Sequence, residues 1–176
     1  MKKGFLLFFL LLGLTRASFA DNYTLCKGEF ALCTKAMCTP IPGGKDVVAC
    51  KCIVLNGYSA GSKPCQKVQK TKEGLMVVSR YSPIKAYVPC TNNRPWAWCF
   101  DSPCIVDKND PSKAVCKCPV VQNKGEYLIV TDHFTKTTCT KGLYSSALIS
   151  QLNDVTNFLK QHIELPPYPI KVHQGD

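Results

Sequence analysis

Cys33-Thr34-Lys35-Ala36-Met37-Cys38, followed after eleven residues by Cys50-Lys51-Cys52, decides the fold because it is written twice. The second copy is Cys99-Phe100-Asp101-Ser102-Pro103-Cys104, with Cys116-Lys117-Cys118 at the same spacing. Between the second and third cysteines each copy carries turn formers, Pro42-Gly43-Gly44-Lys45-Asp46 in one and Lys108-Asn109-Asp110-Pro111-Ser112 in the other. A strand-like run follows each turn, Val47 to Cys52 and Lys113 to Cys118. Because alternate side chains of a strand face opposite sides, the paired cysteines point inward and Lys51 and Lys117 point to water. The unit reads as a hairpin stapled by cystines and duplicated in series.

Outside these blocks lie Cys26, Cys65, Cys90 and Cys139, and two alignments of the copies compete. One matches cysteines alone, Cys26 with Cys90 and Cys65 with Cys139. The other matches a later strand, Glu73 to Ser82 with Glu126 to Thr135, so that Cys90 answers Cys139 while Cys26 and Cys65 become extras of the first copy and natural partners for each other. The second matches more residue types and is the preferred alignment. On spacing, the six cysteines from Cys26 to Cys65, with Gly57-Tyr58 and Gly61 before the last, resemble an epidermal-growth-factor-like module over about 40 residues. That resemblance implies Cys26 with Cys38, Cys33 with Cys50, Cys52 with Cys65, and an extracellular interaction role. The second copy departs from it, having 20 residues before Cys139 and no matching Gly-aromatic segment.

The ends of the chain place it in a compartment. Lys2 and Lys3, the apolar run Phe5 to Leu14 and Ser18-Phe19-Ala20 read as a secretory signal over residues 1–20. The apolar run is too short to span a membrane and no later stretch replaces it, so a soluble protein, secreted or periplasmic, is expected once the signal is removed. None of the 12 cysteines lies in the signal, and oxidising compartments favour disulfides, so six pairs are expected. Without Lys2, Lys3 and Arg16 the chain keeps 19 basic residues against 12 acidic ones, enough for weak attraction to anionic surfaces. Its densest basic stretch, Lys63, Lys67, Lys70 and Lys72, has no aromatic residue on which a base could stack, which argues against nucleic acid. Asn22-Tyr23-Thr24 is a glycosylation sequon only where a eukaryotic pathway reads it.

After Cys139 the periodicity changes. Leu148, Leu152, Val155 and Leu159 form a helical stripe, with Ser145 or Ser146 available as cap and Lys160 and His162 near the end favoured by the helix dipole. Pro166, Pro167 and Pro169 then enforce an extended tail. The expected architecture is small, disulfide-rich and mainly β: two tandem hairpin-based cysteine modules over 21–89 and 90–141, an amphipathic helix over 142–164 and a proline-rich tail over 165–176.

Three chemistries suit Cys-Lys-Cys pairs: half-cystines, thiolate ligands for a soft metal, or a redox couple. Export, the even count and the repetition on strands favour half-cystines, with no metal and no cofactor. The histidines are scattered, and in Asp132-His133 strand alternation separates the two side chains. No nucleophile elbow, phosphate loop or zinc-binding helix motif is present. The best binding candidates are Arg94, Trp96, Trp98 and Phe100, because an extended chain puts the three rings on one face suited to a glycan or a protein anchor. The reading is an exported non-catalytic binding protein for a protein or glycan partner, with an exported enzyme or toxin and a periplasmic thiol or metal protein as alternatives. Local function is expected where the copies differ: the tryptophans of the second, the Cys65 loop of the first, and the terminal helix.

Overall fold

Alternation governs the strands that carry Cys-Lys-Cys: Cys50, Cys116 and Cys118 are fully buried, Cys52 nearly so, while Lys51 and Lys117 are exposed. The computed structural model describes residues 23–122, 125–131, 135, 137–164 and 171–173. The expected signal segment, Asn22, Asp132-His133 and the three tail prolines lie outside the described residues.

In chain order the strands are β1 (Thr24–Leu32), β2 (Met37–Pro40), β3 (Val47–Gly61), β4 (Gln69–Lys70), β5 (Leu75–Val78), β6 (Ala86–Cys90) and β7 (Trp96–Ala97). Then come β8 (Pro103–Val106), β9 (Lys113–Val121), β10 (Tyr127–Val130), β11 (Leu143–Tyr144), β12 (Ala147–Leu148), the helix α1 (Ile149–His162) and β13 (Lys171–Val172). One nine-stranded sheet contains the path β11-β2-β3-β9-β8-β5-β4, with β1 on β3 and β7 on β9; a four-stranded sheet runs β12-β10-β6-β13.

The large sheet is organised around one antiparallel pair, Cys50 opposite Cys116. The β2–β3 register recurs 66 positions later in β8–β9, and part of the β1–β3 register recurs in β7–β9: Cys38 opposite Cys50 answers Cys104 opposite Cys116, and Phe30 opposite Leu55 answers Trp96 opposite Val121. The outer strands are exchanged. β5, which follows the first block, pairs with β8 of the second through Val77 and Cys104; β11, which follows the second, pairs with β2 of the first through Leu143 and Cys38. Each block's hairpin is therefore completed by a strand from beyond the other block. This overturns the preferred sequence alignment: the counterpart of Leu75–Val78 is Leu143–Tyr144, whereas Tyr127–Val130 pairs with β6 and β12 in the smaller sheet.

The disulfides nest concentrically. Cys38–Cys50 lies inside Cys33–Cys52, inside Cys26–Cys65; Cys104–Cys116 lies inside Cys99–Cys118, inside Cys90–Cys139. The pairs implied by the growth-factor-like resemblance are not formed, because Cys38 and Cys50 stand directly opposite on neighbouring strands and close on each other. The Cys26–Cys65 pair expected from the second alignment forms, but Cys90 joins Cys139 in the same way, so the cysteine correspondence is that of the simpler alignment. The eight inner half-cystines form one core with Ala31, Ala36, Ala97, Ala114, Val48 and Val77. Sulfur fills the space that larger apolar side chains occupy in bigger proteins.

α1 buries Leu152, Val155, Thr156 and Leu159 against Ala60, Tyr81, Ile84, Leu128 and Ala147. The helix starts later than 142, and neither serine caps it. Ser145 and Ser146 are buried in extended chain, where the Ser145 N–H donates to Ala36 O and the Ser146 hydroxyl to Leu128 O. Leu148 stands at the N-cap without a side-chain bond. Among the described residues, no helix is long and apolar enough to cross a membrane.

Candidate functional site

β7 ends at Ala97, and the chain turns so that Trp96 and Trp98 part company. Trp96 is buried and stacks on Tyr127 with ring centres 6.2 Å apart. Trp98 is 38% exposed. It stacks on half-buried Phe100, centres 6.4 Å apart, and Phe100 stacks on buried Tyr81 at 4.5 Å. Tyr23 meets Phe100 edge to face at 6.3 Å. The expected three-ring face is therefore corrected: Trp98 and Phe100 keep their place in it, Trp96 joins the core, and Tyr23 takes its place. Arg94 is corrected as well. Its guanidinium donates to the Thr140 and Gly142 carbonyls, so it fastens the loop after Cys139.

A cavity of about 340 Å³ opens over these rings, lined by Tyr23, Ser62, Lys63, Trp98, Phe100, Asp101 and Gln151. That size falls in the range of small-ligand sites. Trp98 and Phe100 come from the second block, Ser62 and Lys63 from the loop that leads to Cys65, and Gln151 from α1. The three regions in which the copies differ meet at one place.

Asp101 of this lining belongs to a buried ion pair. Arg80 and Asp101 side chains are 5% and 3% exposed, with Nη1 3.6 Å from Oδ1. Asp101 Oδ2 accepts from the Ser62 N–H and hydroxyl, both at 2.7 Å, and from the Lys63 N–H at 3.2 Å. The Lys63 ammonium donates to the Asp101 carbonyl. Arg80 donates to the Thr24 and Lys63 carbonyls. Burial lowers the Arg80 pKa and the Asp101 charge opposes that shift. Asp101 holds a left-handed backbone, φ 54°, which Asp tolerates better than most side chains. Burial also pushes the Tyr81 hydroxyl, which donates to Gln151 Oε1, well above the ordinary phenol range, with the smaller contribution from Trp98 acting the other way. Loop, second block and helix are thus locked around the cavity by buried polar bonds.

No family model, curated protein or solved structure matches this chain. The fold and the site stand on their own geometry.

Chemically, the lining carries one cation and one carboxylate, and three donors already saturate one oxygen of that carboxylate. Two carboxylates flanking a bond, as glycoside hydrolysis requires, are not among the described lining residues. All twelve cysteines are paired in disulfides. Sequence reasoning named Trp98 and Phe100 but missed Tyr23, Asp101, Arg80 and Gln151. The one local signal was Asp101 itself, a carboxylate set directly after an aromatic run inside a four-residue Cys-to-Cys gap.

Proposed function

We propose that this is an exported, disulfide-stapled binding protein whose cavity over Trp98, Phe100 and Tyr23 grips one neutral sugar ring of a glycan. The observation that carries this reading is the partly exposed Trp98 ring beside a polar rim of Ser62, Lys63 and Gln151. An exposed indole face offers apolar area to the C–H face of a pyranose, and the rim offers donors and acceptors to its hydroxyls. The balanced charge of the lining favours a neutral sugar over an acidic one. The cystine core and the buried Arg80–Asp101 pair supply the rigidity that makes a shallow site useful, because a site held in place loses little entropy on binding.

The test is a glycan array probed with the wild-type protein and with Trp98→Ala and Trp96→Phe. Binding of a restricted set of neutral glycans, lost in Trp98→Ala and kept in Trp96→Phe, supports the reading. Signals unchanged in Trp98→Ala, or confined to sulfated and uronic glycans, would refute it.

A further inference from the structure

The large sheet has a second face, away from the cystines, and it is not a uniformly polar surface. Register places Met76, Ile105, Val115 and Lys51 in one row across β5, β8, β9 and β3. Since Cys50, Cys104 and Cys116 point inward, these neighbours in sequence point outward. Val115 is 43% exposed. At the end of this row the β4–β5 turn, closed by the Thr71 hydroxyl donating to Gly74 O at 2.8 Å, brings Thr71, Lys72 and Glu73 to the edge of the sheet face. There a groove of about 570 Å³ is lined by Thr71, Lys72, Glu73, Met76, Pro103, Ile105, Val115 and Lys117.

We infer that this groove binds a single-chain anionic amphiphile, an alkanoate taken up as the free molecule. Its floor is Met76, Pro103, Ile105 and Val115, without a polar side chain among them. Its rim carries two exposed ammonium groups, Lys72 and Lys117, against the one carboxylate of Glu73. Lys51 lies further along the same row, beyond the groove lining and three strand spacings or about 14 Å from Met76. An apolar trough bordered by cations matches an acyl chain with a negative head. A second copy fits poorly, because face-to-face packing would bury Lys72 and Lys117 of each copy with Glu73 as the one groove carboxylate to offset them. A bilayer fits poorly because the apolar surface is recessed in a groove bordered by Lys72, Glu73 and Lys117. The groove shares no lining residue with the aromatic cavity, so the inference is independent of the glycan reading.

The experiment is calorimetric titration of the mature protein with octanoate, decanoate and dodecanoate, each below micelle formation, beside dodecanol and dodecyltrimethylammonium. Affinity should rise about twofold to fourfold per added methylene, as expected for partial to full burial of each. Dodecanol should bind at least tenfold more weakly and the cationic amphiphile not at all. Val115→Lys should abolish binding, and Lys72→Gln with Lys117→Gln should erase the preference for the carboxylate while leaving the chain-length trend. Both changes alter exposed side chains and should leave glycan binding intact. No dodecanoate binding, equal affinity for the alcohol, unchanged binding in Val115→Lys, or binding only to anionic vesicles would each overturn the inference.

Discussion

Gly61→Ala tests the buried frame of the aromatic cavity with the smallest possible change. A Cβ built at Gly61 would lie 2.3 Å from Asp101 Oδ1, 2.7 Å from Arg80 Cζ and 2.9 Å from Arg80 Nη1. Gly61 is outside the left-handed region, so the effect is one of space and not of backbone strain. The carboxylate cannot swing aside freely, since Oδ2 is held at 2.7 Å by both the Ser62 N–H and the Ser62 hydroxyl. Overpacking of this kind costs about 1–3 kcal/mol, and parting a buried ion pair about 3–5 kcal/mol. A movement of about 1 Å strains the pair without removing it, so a loss of about 2–4 kcal/mol is expected. At about 2–4 °C per kcal/mol for a chain of this size, the melting temperature should fall by roughly 5–15 °C. Because Ser62 and Lys63 ride on the same carboxylate, hydrogen exchange at their amides should quicken and glycan affinity should drop. The assay is guanidinium denaturation with intact disulfides, repeated in an Asp101→Ala background. There the shortest contact is gone while those to Arg80 at 2.7 and 2.9 Å remain, so the added cost should shrink without vanishing, a non-additivity expected of contacting residues. A Gly61→Ala protein within about 0.5 kcal/mol of wild type, or the same cost in both backgrounds, would refute the close packing of Gly61 against the pair.

Three further outcomes follow from the same structure. Trp96→Ala, which empties a buried site, should cost about 3–5 kcal/mol, whereas Trp98→Ala should cost under about 1 kcal/mol; chemical denaturation separates the two. Loop entropy alone ranks loss of Cys26–Cys65, separation 39, above loss of Cys38–Cys50, separation 12, at about 4 against about 3 kcal/mol. Since Cys38 and Cys50 are buried in the sulfur core while Cys65 is exposed, paired alanine substitutions should reverse that order, and equal or unreversed losses would show that core packing does not dominate. Tyr81 is held neutral when folded but ionises near 10.0 when unfolded, so its contribution is complete below that pH and declines above it. The fall in stability between pH 8 and pH 11 should be smaller in Tyr81→Phe than in wild type, as denaturation at about these two pH values would show.

What the sequence revealed divides along physical lines. The inward cysteines and outward Lys51 and Lys117 were legible because a strand has a period of two and cystine must be buried or paired. The exchange of β5 and β11 was not, since it is a choice of partner made in space between strands far apart in sequence. The misleading match of Glu73–Ser82 to Glu126–Thr135 arose because short apolar strands resemble one another whatever they pair with. Ser145 and Ser146 looked like helix caps because capping depends on residue type, yet Ser145 is held by a backbone bond and Ser146 by a side-chain bond, both in extended chain. At the site, Trp98 and Phe100 announced themselves as large apolar residues on a small scaffold. Arg80 and Asp101 did not, because a buried ion pair formed across 21 positions leaves no local pattern.

The chain has two tryptophans, one buried and one at the cavity, so its two indole N–H resonances report the central claim directly. In a nitrogen-15 correlation spectrum titrated with the neutral glycan selected on the array, the Trp98 indole signal should shift saturably while that of Trp96 stays fixed. A ligand that binds without moving the Trp98 signal, or that moves both signals equally, would contradict the account.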